Sequence, residues 1–156
     1  FINQHPADYY IHCGDIYMPY SPLEIDNFYN VRGNNDFADI PKDLTLTIDG
    51  LNFFICHGHL FHIDESMYDL EQYALNHKID VVCFGHSHNP TCYKKENTLF
   101  INPGSVTFPR GNYPHPTYCI FDTENHEVQF YDLKENQPCN PFEVKKKESF
   151  FKRFFK

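Results

Sequence analysis

Apolar residues along this chain fall into short runs, each closed by Gly, Asp, Asn or His rather than by a long polar stretch. Residues 9–13 and 28–32 read as two strands, the second running into Gly33. Residues 44–48 and 51–56 flank Asp49-Gly50, a pair that tolerates the positive φ angles of a tight turn, and so predict a hairpin. Residues 64–78 predict the one clear helix. Met67, Leu70, Tyr73 or Ala74 and His77 keep helical spacing, with acids early and Lys78 late. Residues 81–84 are continuously apolar, as in a strand covered on both faces. Further strands pair about Glu96-Asn97 and, as 117–121 with 127–133, about Glu124-Asn125; Asn102-Pro103-Gly104-Ser105 makes a turn between them. Phe1 to Pro6 reads as the tail of a helix. The pattern predicts a mixed α/β sandwich over residues 1–140, without repeats or an internal linker, followed by a tail at 141–156.

Composition narrows the class. No apolar run is long enough to cross a bilayer as a helix. The six cysteines contain no CxxC pair, so a zinc cluster is excluded on spacing, and reduced thiols packed as small hydrophobes in a cytoplasmic protein are expected. Net charge is −8, unevenly spread: residues 145–156 carry +5 and the remainder −13. So acidic a body argues against stable nucleic-acid binding and suits one that concentrates cations. In the tail, Phe150, Phe151, Phe154 and Phe155 form an apolar helical stripe bordered by Lys and Arg. That stripe suits packing on the domain or on a second subunit better than adsorption to anionic lipid. A homodimer is the default expectation.

The chemistry sits at the ends of the apolar runs. His12-Cys13-Gly14-Asp15, Gly33-Asn34-Asn35-Asp36, Cys56-His57-Gly58-His59 and Gly85-His86-Ser87-His88 each place an oxygen or imidazole donor after a strand-like segment. Two divalent cations held close together repel, so a two-metal site needs a bridging anion, and Asp15 is the natural one. Asn34 offers an amide oxygen, and His57 and His86 offer imidazole nitrogens. Such a set suits Mn first, with Fe, Ni or Zn as alternatives. Cations so held supply a metal-activated hydroxide for attack on a phosphate ester.

These motifs, followed by Ile101-Asn102-Pro103-Gly104-Ser105, resemble the calcineurin-like metallophosphoesterases. The likeness spans residues 7–133 and is closest to their small bacterial and archaeal phosphodiesterase branch, which is itself similar to the eukaryotic retromer scaffold subunit. The resemblance implies a four-layer αββα sandwich with Asp15 bridging both metals. Asn34, His57 and His86 would complete the second metal site, and His88 would ligate the first. The family's opening Asp-x-His motif has no counterpart here: His5 and Asp8 stand in the wrong order. A fragment is therefore expected, lacking the first strand, a turn and most of a helix, about 20–25 residues at usual element lengths. Many relatives carry His where Asn35 stands, and an amide cannot protonate a leaving group. Asn35 and His59 are thus the candidate catalytic positions, with His59 the only one able to give a proton, while Asp36 orients its loop. Arg110 and Ser105 are read as surface residues in preference to phosphate contacts. The expected function is metal-dependent hydrolysis of a small or nucleotide-like phosphodiester. The alternative is a non-catalytic protein-binding scaffold on the same fold.

Overall fold

The computed structural model describes residues 5–17, 26–37 and 39–143. Its centre is a five-stranded sheet, ordered β3(Asp43–Ile48), β4(Leu51–Cys56), β5(Val81–Cys83), β7(Thr98–Asn102) and β6(Thr91–Lys95). Strands β4, β5 and β7 run parallel, with antiparallel edges at β3 and β6. The predicted hairpin closes as expected: Asp49 (φ 51°) and Gly50 (φ 81°) both take left-handed conformations, and Ile48 pairs with Leu51.

Period-two alternation lets one sheet serve two cores. Phe54 and Cys56 of β4, with Val82 and Phe100, face α1(Tyr68–Asn76) and pack on its Leu70 and Ala74. Phe53 and Ile55, with Val81, Cys83 and Ile101, face the other way. There they meet two smaller sheets. One is the parallel pair β1(Tyr10–His12) and β2(Phe28–Asn30); the other is the antiparallel meander β8(Thr117–Asp122), β9(Glu127–Asp132) and β10(Gln137–Cys139). The fold is a mixed α/β sandwich, and the described residues supply one helical layer and both β layers.

Two elements differ from the sequence expectation. The helix begins at Tyr68 rather than at 64, because His62 adopts φ 52° and diverts the chain through a 3-10 turn, His59–Phe61, and a second turn closed by Glu65 and Ser66 on the His62 carbonyl. It ends where Lys78 turns left-handed, with Ile79 N–H donating to Ala74 and Lys78 N–H to Leu75, which satisfies carbonyls the helix leaves open. Strand β10 was not anticipated, since its Pro138 lowers strand propensity. Among the described residues its only neighbour is β9, and an edge strand tolerates a residue that cannot donate. The basic aromatic tail, 145–156, and the start of the predicted N-terminal helix lie outside the described residues.

Phe54 is fully buried, with its ring 4.4 Å from that of Tyr73 and 5.8 Å from that of Phe61. Phe54→Ala is expected to cost about 3–5 kcal/mol of stability. Urea denaturation checks this, as a fall in midpoint at unchanged slope.

Candidate metal centre

The predicted donors come together where β1, β2, β4 and β5 end. His57 is the hub. Its Nδ1 lies 2.6 Å from the Cys13 carbonyl, so the ring donates its proton there and presents a bare Nε2. Facing Nε2 are Asn34 Oδ1 at 3.1 Å, His86 Nδ1 at 3.3 Å and Asp15 Oδ2 at 3.4 Å. His86 in turn gives its Nε2 proton to Asp64 Oδ2 at 2.7 Å, which leaves its Nδ1 a lone pair as well.

With His86 in that neutral tautomer, four lone-pair atoms converge, an arrangement that a cation placed among them would stabilise. The spacing from Nε2 also fits, because donors about 2.0–2.2 Å from one ion at octahedral or tetrahedral angles stand about 2.8–3.6 Å apart. Among the described residues no three His, Cys, Asp or Glu side chains close into a cluster fit to hold an ion. The contacts instead radiate from His57, and the Asn34 amide belongs to the set.

The loops hold this shape at a conformational cost. Asp15 (φ 60°), His86 (φ 62°) and His88 (φ 57°) are all left-handed, a strained choice for side-chain-bearing residues. A Cβ on Gly33 would lie 2.0 Å from Asp15 Oδ1, so only glycine lets this backbone pass beside the carboxylate. Asp36 stabilises the turn: its Oδ2 accepts the N–H groups of Asp15 (2.7 Å) and Gly33 (2.8 Å). Asn35 donates its backbone N–H to one Asp15 oxygen (2.9 Å) and its side-chain amide to the other (2.7 Å), which makes it a positioning residue for Asp15.

Burial works against the Asp15 charge, but the Asn35 hydrogen bonds and the nearby His57 and His86 rings hold its carboxyl below the ordinary range. Burial pushes His57 down, as does His86, against the Cys13 contact and Asp15. The ring that presents Nε2 is accordingly neutral.

Residues 2–126 match the calcineurin-like phosphoesterase superfamily domain. The chain belongs to that superfamily. It is similar to the probable metallophosphoesterase YsnB of Bacillus subtilis, 35% identical over 134 residues that cover 84% of this chain and 79% of that protein. It is also similar to the phosphodiesterase MJ0936 of Methanocaldococcus jannaschii, 31% identical over 147 residues, with coverage of 81% and 83%. A solved structure of a conserved protein of Streptococcus pneumoniae, described as a predicted phosphoesterase, superposes with a TM-score of 0.79 at 28% identity. It covers 88% of this chain and 82% of that one.

Two further candidates of this calcineurin-like chain lie at the margins of the donor set. His88 donates from Nδ1 to the Phe108 carbonyl at 2.8 Å, which frees its Nε2 and ties its loop to the segment that follows β7. His59 has its ring centroid 5.3 Å from that of His57, and its Nδ1 is buried without a partner among the described residues. It lines a small recess with Lys42 and Phe61, and not the main cleft. That cleft, about 490 Å³, opens beside Asn34, Asn35, His86 and His88, and its other wall is Tyr17 with residues 107–110.

Sequence reasoning missed three contributors. Asp64 was absorbed into the predicted helix, and nothing in its spacing pointed to His86. Asn102, within a recognised turn, is fully buried and donates to the Gly85 carbonyl (2.8 Å) and to Ser87 Oγ (3.1 Å), fastening the histidine loop. Arg110 lines the cleft, whereas Ser105 Oγ is engaged by the N–H groups of Thr107 and Phe108.

Asp64→Ala is expected to weaken Mn²⁺ affinity about tenfold, the lower end for removing an outer partner of a ligand, because Asp64 is largely exposed. Titration calorimetry reads it directly. The buried histidines also set a pH dependence. His57 and His12 are both held below their ordinary 6.5, burial being the main cause. As pH falls through 6.5 the unfolded chain takes up protons first, so the metal-free protein is expected to lose stability below that pH and level off beneath the depressed folded values. Asp15 adds stability that is lost only in stronger acid, as pH drops through its lowered folded value. Melting temperature against pH in chelator reads both losses.

Proposed function

We propose that this calcineurin-like phosphoesterase is a metal-dependent phosphodiesterase, acting on a small or nucleotide-like diester with two divalent cations, manganese first among them. The observation that carries the reading is the convergence of three donor atoms, from Asp15, Asn34 and His86, on His57 Nε2, at the edge of an open cleft. Asp15, Asn34, His57 and His86 would hold one cation, and Asp15 with His88 would contribute to the other. When bound, the cations supply an activated water for in-line attack on phosphorus and charge to neutralise the phosphate oxygens.

The chain's own residues do the positioning. Asn35 fixes both Asp15 oxygens, and Asp36 fixes the turn beneath them. Arg110 faces the cleft and offsets the charge of a phosphate seated beside His86 and His88. In a chain whose net charge is −8, a singly charged diester meets less repulsion than a doubly charged monoester. None of Asn35, Tyr17 or Arg110 is suited to give a proton near neutral pH. Leaving groups that depart as stable anions are therefore favoured, since proton transfer is worth about 10²–10⁴-fold. Six free cysteines, three of them buried, support a reducing compartment such as the cytoplasm.

The test is hydrolysis of bis(p-nitrophenyl) phosphate with added Mn²⁺. Activity is expected, chelator should abolish it, and His86→Ala should lower kcat/KM by more than the roughly 10–100-fold typical of losing an outer partner. No turnover with Mn²⁺, Fe²⁺, Ni²⁺ or Zn²⁺, even by a chain that also carries the family's Asp-x-His motif, would sink the enzyme in favour of the scaffold.

A further inference from the structure

The cleft is wider than a phosphate requires. Beside the donors it is bounded by Tyr17, Phe108 and Arg110. Tyr17 is 63% exposed and Phe108 60% exposed, and neither ring belongs to either hydrophobic core. One exposed aromatic residue is ordinary on a protein surface. Two that line the same cleft as the metal donors are a different matter.

Both are anchored to the metal loops through their backbones. The Phe108 N–H donates to Ser105 Oγ at 2.9 Å, and its carbonyl accepts from His88 Nδ1 at 2.8 Å. The Arg110 N–H donates to the His88 carbonyl at 3.1 Å, so the two loops are stitched in both directions. The Tyr17 N–H donates to Asp36 Oδ1 at 3.3 Å, the same carboxylate that holds the Asp15 turn. The backbones that carry the two rings are therefore held at set places relative to the donors, and only the side chains remain to be ordered when a ligand arrives.

The wall's chemistry selects its occupant. It offers two aromatic side chains and one guanidinium, and among the described residues no carboxylate lines the cleft. A flat ring carried on a singly charged phosphate satisfies both parts, the ring against the aromatic faces and the phosphate against Arg110. An alkyl substituent uses neither face as well.

We propose that Tyr17 and Phe108 form an aromatic subsite that stacks the ring of a phosphodiester's second substituent, making nucleobase-bearing diesters the substrate class. This rests on the phosphodiesterase reading of the adjacent centre and names the substrate for it.

Two esters that share one leaving group isolate the subsite from the bond being broken: the p-nitrophenyl ester of thymidine monophosphate and methyl p-nitrophenyl phosphate. The thymidine ester is expected to be favoured about tenfold or more in kcat/KM. Phe108→Ala and Tyr17→Ala should each shrink that ratio, through KM more than kcat, and Phe108→Tyr should keep it. Val106→Ala, exposed but outside the cleft, serves as the control and should leave the ratio unchanged. Equal use of both esters by the unaltered protein, or a ratio indifferent to both alanine variants, overturns the subsite.

A binding arm works without turnover. Thymidine monophosphate and inorganic phosphate are titrated calorimetrically into the Mn²⁺-loaded protein. If neither ester is hydrolysed, the phosphodiesterase reading falls and the subsite stands or falls on this arm. Tighter binding of thymidine monophosphate that Phe108→Ala abolishes supports it, and equal binding of the two ligands overturns it.

Discussion

The carbonyl of Cys13 accepts the Nδ1 proton of His57, and the orientation of the whole centre follows from that contact. Cys13 comes directly after β1 and His57 directly after β4, so the bond spans the two β layers at their shared end. It chooses the ring's tautomer, and the tautomer leaves Nε2 a lone pair free to accept and not a donor of hydrogen. Rotated or protonated otherwise, the same ring would quench Asn34 and Asp15 with hydrogen bonds and leave nothing for a cation.

Around that bond the loops form a chain of dependencies. Asp36 secures the Asp15 turn, Asn35 orients the carboxylate, Asp64 turns His86, and buried Asn102 fastens the loop that bears His86 and His88. None of these makes a large hydrophobic contribution. The stability that permits left-handed conformations at Asp15, His86 and His88 is drawn from the two cores on either side of the central sheet, where Phe54 and Phe100 face α1 and Ile55 and Ile101 face the opposite sheets. Strain at the strand ends and dense packing between them are two sides of one arrangement.

How much of this was legible in the chain depended on the range of the physics. The Asp49-Gly50 hairpin and the doubly covered β5 are local, set by turn geometry and unbroken apolarity, and both could be read directly. That Asp15, Asn34, His57 and His86 would lie near one another was legible because each follows an apolar run, and parallel strands end on the same side. The start of α1 was not, since residues 62–66 close a turn on the His62 carbonyl where the acids at 64 and 65 would suit a helix start. Asp64 was hidden for the same reason. Its partner lies 22 residues away across a parallel crossover, and no spacing rule reaches that far. The cleft wall was invisible too, because the place of Tyr17 and Phe108 depends on backbone bonds to loops elsewhere in the chain.

Asn102 carries a consequence beyond its two hydrogen bonds to the histidine loop. Its carbonyl oxygen also receives the Gly104 N–H at 3.0 Å, so a single buried amide joins the segment that presents imidazoles to the segment that leads to Phe108 and Arg110. Where the histidine loop sits and where the cleft wall sits are therefore not set independently, and drift in either segment is felt by the other. If the one holds an ion and the other its substrate, as proposed above, a change of substrate would reach the metal as well.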